Sequence, residues 1–176
     1  WEGFSGLQAT ITLGAGETFL LRTLSSAQNS CIYDMTGALV RSTNLIAVTT
    51  GGRGWSTALG GAEAACPASG TCGDDGEDSI FPVDYLGTQY VVSAYNADPS
   101  RRIFVIADTD QTEVRGLGTL VATLMAGEVY SFQESQAVTY LEATHPVYVY
   151  QNAGRINCEM GLAFVPPLEL NVRQTS

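Results

Sequence analysis

The chain has 176 residues, 45% of them hydrophobic, enough for one domain or two small ones whose core needs no metal to hold it. Its net charge of −10 comes from 18 acidic residues against eight arginines, with no lysine at all. Such a surface repels nucleic-acid phosphates and anionic headgroups, and the missing lysine excludes Schiff-base chemistry, a phosphate-loop lysine and a Lys–Asn isopeptide cross-link.

Taken in chain order, period-two alternation recurs, and no stretch long enough carries a 3.6-residue period. LQATITL (7–13) places Leu7, Ala9, Ile11 and Leu13 on one face and predicts a strand, closed by the turn phrase GAG (14–16). STNLIAVTTGGR (42–53) ends another strand pair. Residues 54–79 read as an inserted loop, with one helical turn at most in STALGGAEAAC. FPVDYLGTQY (81–90) leads into YVVSAYNA (90–97), whose apolar side chains point both ways, as in a strand buried on both faces. RIFVIAD (102–108) and TLVATLMA (119–126) share that character. HPVYVYQ (145–151) sets Val147 and Val149 against Tyr148 and Tyr150. LELNVR (168–173) reads as a strand with Leu168, Leu170 and Val172 inward. Turn phrases fall at NADPS (96–100), NAGR (152–155) and Pro166–Pro167. The prediction is an all-β chain of antiparallel β-sandwich type. No apolar run approaches ~18 residues, so no membrane insertion is expected. The opening WEGF carries no signal-peptide pattern, and the chain reads as a mature protein or an excised piece of something longer.

Three phrases occur twice, in the same order. LGAGETFLL (13–21) matches LMAGEVYSF (124–132), STNLIAVTTGGR matches ATHPVYVYQNAGR (143–155), and FPVDYLGTQY matches FVPPLELNVR (164–173). Offsets of 111 (124 − 13), 101 (143 − 42) and 83 (164 − 81) residues imply extra residues in the first copy, around 25–40 and 54–79. An internally duplicated β-unit follows, with 1–80 as a partial first unit and 81–176 as the second, packed as one module. A hairpin comparable to YVVSAYN–RIFVIADTDQTEV lies neither before the first copy nor after the second, so unpaired strand edges are expected to meet each other, neighbouring domains or another subunit.

Candidate chemistry is sparse. Cys66 and Cys72 in CPASGTC suit a small disulfide loop, which leaves Cys31 with Cys158; of the three pairings four cysteines allow, this is the first choice. Asp74, Asp75, Glu77 and Asp78 in GDDGEDS (73–79) read as a solvated glycine-rich acidic loop, or as oxygen ligands for Ca²⁺, the single candidate cofactor. DTDQTE (108–113) reads as a hairpin turn. Trp55 opens the inserted loop and either packs it down or anchors a ligand. His145 matches Asn44 in the other copy and reads as a hydrogen-bonding turn residue at a strand entry. With one histidine and no nucleophile elbow, no enzyme is expected.

The phrases from Phe81 to Val92, at 14–17 and 125–128, at 144–151 and at 162–168 together resemble the IgGFc-binding-protein-like N-terminal domain family, over most of residues 7–170. The long Cys66–Asp78 loop departs from that pattern. The resemblance implies a β-rich extracellular module of large secreted or cell-surface proteins; antibody binding belongs to particular animal members. The expected function is a structural or adhesive module of a surface or fibre protein. It would act by protein–protein contact and edge-strand pairing, with other copies of itself, neighbouring domains, a surface protein or a glycan as partner. The alternative is a lectin-like module in which Trp55 and the Asp74–Asp78 acids hold Ca²⁺ and a glycan.

Overall fold

The computed structural model describes residues 8–21, 37–55, 74–93, 102–133, 136–155 and 159–172, with backbone alone at 51–55, 74–77, 152–155, 159–161 and 171–172. Nine strands and two short 3-10 turns occupy these residues, and every strand pairing is antiparallel. The strands are β1 (Thr49–Trp55), β2 (Asp74–Ser79), β3 (Gly87–Ser93), β4 (Arg102–Ala107), β5 (Thr112–Gly116), β6 (Thr119–Leu124), β7 (Val129–Gln133), β8 (Val138–Arg155) and β9 (Glu159–Phe164). The all-β, antiparallel expectation holds. The sheets are a β1–β2 hairpin and a curled seven-stranded sheet.

One strand organises the larger sheet. β8 pairs with β3 and then β9, and also with β5 and then β4. The change of neighbour has a local cause. β5 pairs as far as Ala143, and β4 takes over at Val147. Opposite β3, the register jumps from Glu142 to Val147 while β3 advances only from Gln89 to Gly87. The residues between form a bulge around Pro146, which has no amide to give a ladder. β6 flanks β5 and β7 flanks β4, so the two arms curl away from this bend.

The core lies on one face of the curl: Tyr90, Val92, Ile103, Val105, Ala107, Val114, Leu124, Leu141, Val147 and Val149. β4 alternates buried and half-buried residues throughout, the period-two signature of a strand with one face inward. Val147 and Val149 share the buried face, as their spacing predicted. The Tyr90 hydroxyl is held inside the core. It accepts from the Gly87 amide, and its proton faces the carbonyls of Val147 and Gly87, which ties the start of β3 to β8 beside the bulge.

Several local expectations fail for identifiable reasons. β3 is buried on one face only, with Val91 exposed, and most of β6 is exposed because it lies at a sheet edge. Residues 8–13 belong to no strand. Residues 152–155, read as a turn, extend β8. LELNVR is not a strand: Leu168–Val172 forms a 3-10 turn, begun by a Leu170 amide bond to the Pro167 carbonyl, and two prolines preset the backbone angle such a turn needs. GDDGEDS is not a loop: Asp74–Ser79 is β2, and pairing with β1 overrides the poor strand propensity of Asp and Gly. The DTDQTE segment turns at 108–111 as expected, with Thr112 Oγ1 donating to the Thr109 carbonyl.

Three local arrangements occur in both halves of the chain. Glu17 and Glu128 each donate a backbone amide three residues back, to Gly14 and Met125, and each returns a carboxylate oxygen to the amide of that same residue, at 2.6 and 2.7 Å. Gly16 and Gly127 fill the third turn position with φ near +80°, as a type II turn demands. The Ile80 amide donates to the Val48 carbonyl, as the Val165 amide does to Val149. Tyr85 donates to Pro82 as Leu170 does to Pro167. These bonds set Pro82 against Pro167, two residues from the register read by matching Phe81 with Phe164.

Candidate interaction surface

The β1–β2 hairpin meets the large sheet along an aromatic seam. Phe81 stacks on Phe164 with ring centres 4.5 Å apart, and Tyr150 meets Phe164 edge-on at 5.7 Å. Tyr148 lies beside Tyr150, and its hydroxyl donates to the Phe81 carbonyl at 2.8 Å. Asp78 closes the seam: one carboxylate oxygen accepts from the Ser79 amide and the other from the Phe164 amide at 2.7 Å. Burial pushes the Tyr150 phenol up to about 12, with Asp78 and then Tyr148 adding to the shift. Burial likewise raises Tyr148, helped by Asp108. At the outer end of the seam, Phe81 and, on the 3-10 turn Val83–Tyr85, Val83 and Tyr85 are exposed to solvent. Aromatic rings with one face packed and one exposed are the usual anchors of protein interfaces.

The two 3-10 turns have different neighbours. Glu169, on the second, accepts from the Thr88 amide and hydroxyl at 2.8 and 2.9 Å. Burial alone would raise its pKa, but these bonds outweigh it, and the carboxyl titrates below its ordinary value. A Cβ on Gly87 would stand 2.5 Å from Pro167 Cβ, so only glycine lets the second turn sit this close to β3.

A second exposed region consists of residues 8–21 and 37–48. Neither belongs to a strand, each contains a turn or bend (at 15–16 and 43–44), and together they carry Ile11, Leu13, Leu20, Leu21, Leu39, Val40, Leu45 and Ile46 in solvent. At its start, Gly37 (φ +84°) packs against the Gly127 turn so closely that a Cβ would collide with the Gly127 carbonyl.

The residues singled out in the sequence fall at several places in the fold. Asp78 is a seam residue whose two oxygens serve backbone amides; Asp74, Asp75 and Glu77 are placed as backbone of β2 and Trp55 as backbone of β1, where Trp55 lies opposite Asp74 on the ladder. Cys31, Cys66, Cys72 and Cys158, and with them the disulfide pairing, lie outside the described residues. His145 sits in the β8 bulge and not at a strand entry; its Nδ1 is 3.4 Å from the Thr144 hydroxyl and 3.5 Å from that of Thr112. No three of His, Cys, Asp and Glu converge among the described residues, and no helix among them is long and apolar enough to cross a membrane. Sequence reasoning missed the aromatic seam, although Phe81, Tyr148, Tyr150 and Phe164 all lie in phrases it had quoted; the signal was their shared position beside the hairpin ends.

A family model described as IgGFc binding protein matches residues 2–174. No curated protein and no solved structure is significantly similar to the chain.

Proposed function

Because this chain belongs to the IgGFc-binding protein family, we infer that it is an extracellular, non-enzymatic β-module that works by protein–protein contact, as a structural or adhesive unit of a surface or fibre protein. The observation that carries this reading is the apolar, unpaired chain at 8–21 and 37–48, whose leucines and isoleucines stand in solvent outside any strand. Exposed backbone without a ladder partner is a template for strand addition, and exposed apolar side chains mark contact surfaces. The aromatic patch at Phe81 and Tyr85 supplies a second contact of interface type. The acidic surface favours partners without dense negative charge. The single histidine lies among threonine hydroxyls in a bulge, a setting suited to holding a bend.

Light scattering over a concentration series tests the reading. The expected result is a molar mass that rises with concentration, and more slowly for a variant with Leu39, Leu45 and Ile46 changed to Ser. A mass that stays monomeric at millimolar concentration overturns self-association.

A further inference from the structure

We propose that residues 37–48 are an open docking track for one antiparallel β-strand of the β3 type, donated by a neighbouring module of the same family. This rests on the protein-contact reading above and names its partner.

The argument comes from a covered version of the same track within this chain. Laying Val48 on Val149, the two residues whose carbonyls accept equivalent amide bonds, sets 37–48 on Val138–Val149 of β8. Buried residues of β8 then fall on apolar residues of the track: Leu141 on Val40, Val147 on Ile46 and Val149 on Val48. At the first two pairs the surroundings differ, while Val48 is half-buried. Leu141 is 2% exposed and Val40 55%; Val147 is 1% exposed and Ile46 51%. The preceding turn repeats the contrast, with Leu124 7% exposed before one Ala-Gly-Glu phrase and Leu13 42% before the other. The strand that β8 has beside it and the track lacks is visible: β3 pairs antiparallel with β8, Ser93 opposite Val138 through Gln89 opposite Glu142, and Tyr90 stands opposite Leu141 in the same core cluster. Among the described residues no strand does this for the track.

Chain order identifies the donor. β3 follows the first hairpin and its 3-10 turn, and it seats on the long strand of the following unit. A strand at the same place in a neighbouring module would meet residues 37–41 in the corresponding register, with its tyrosine opposite Val40. Charge permits this. β3 (GTQYVVS) is uncharged, and the track carries Arg41 alone in a chain of net −10.

The test fuses a second copy of residues 85–93 to the N-terminus of the full chain through a long Gly/Ser linker, which holds the donor at millimolar effective concentration. Amide hydrogen exchange is then read at residues 37–48. The expected result is at least tenfold slower exchange in the track, lost when the donor copy carries Tyr90→Asp with Val92→Asp, or when the track carries Val40→Asp. The melting temperature of the unfused Val40→Asp chain should stay unchanged. Unchanged exchange at 37–48, or protection that appears only along β6 or β7, overturns the proposal. Self-association in light scattering together with unchanged track exchange would leave the contact function standing and remove this strand assignment.

Discussion

Residues 138–149 and 37–48 have nearly the same apolar pattern and opposite fates. The first is the spine of a sheet, and the second runs through solvent. Periodicity reports that a segment can bury one face against neighbours; it does not report that neighbours are there. Both segments enter a hairpin with the same amide bond at its start. The difference is therefore in what flanks them, and local preference is the same in each.

The largest expected effect breaks the comparison at matched positions. Leu141→Ala opens a cavity under Tyr90 and should cost about 2–5 kcal/mol, whereas Val40→Ala should stay within about 0.5 kcal/mol in the isolated chain. Urea melts of the two variants check this, and equal losses would mean that Val40 is covered after all.

Next in size is Tyr90→Phe, which strands the Gly87 amide and the Val147 carbonyl inside the core at about 1–3 kcal/mol. The same phenol gives a pH signature. Burial pushes it up to about 12 against the opposing bond from Gly87, and Tyr150 is pushed as high. An unfolded tyrosine titrates near ~10, so the folded form keeps these protons longer, and the stability they contribute is complete below pH ~10 and lost as pH rises toward 12. Tyrosinate absorbance should show late-titrating phenols, one fewer in Tyr90→Phe, and unfolding should accompany their ionisation.

The smallest effect sharpens the comparison at the paired turns. Glu128→Ala removes the carboxylate bond from the turn joining β6 to β7 and should cost about 0.5–1.5 kcal/mol. Glu17→Ala removes the same bond from a turn that joins no ladder, and thermal melts should place its cost below about 0.5 kcal/mol.

The parts of the fold legible in the sequence were those governed by local geometry. Spacing marked the valine face of β8, and the phrase GAG (14–16) announced a glycine turn, whereas β4, read as apolar on both faces, turns only one inward. Elements settled by distant partners were hidden. Asp74–Ser79 becomes a strand because β1 lies beside it, against the propensity of its own residues. Leu168–Val172 alternates like a strand, yet two prolines start a 3-10 turn that Glu169 fastens to Thr88, 81 residues away in the chain. The candidate surface was half legible. The apolar residues of 37–48 were visible, but the exposure of Val40 and Ile46 was not, since the same pattern in β8 is buried.

That one strand, β8, keeps register with β3, β4, β5 and β9 together has a consequence for how this chain can change length. A residue inserted within 138–155 would shift the alignment of every strand C-terminal to it on the spine, and no single neighbour could absorb the slip. The join between β1 and β2 answers to one pairing only, and there the chain spends residues 56–73 where the β8–β9 join uses 156–158. Lengthening a loop by that much adds only about 1–2 kcal/mol of closure entropy. Evolutionary novelty in this module therefore has a cheap place to grow, in the sequence between β1 and β2, and almost none along the crowded axis of β8.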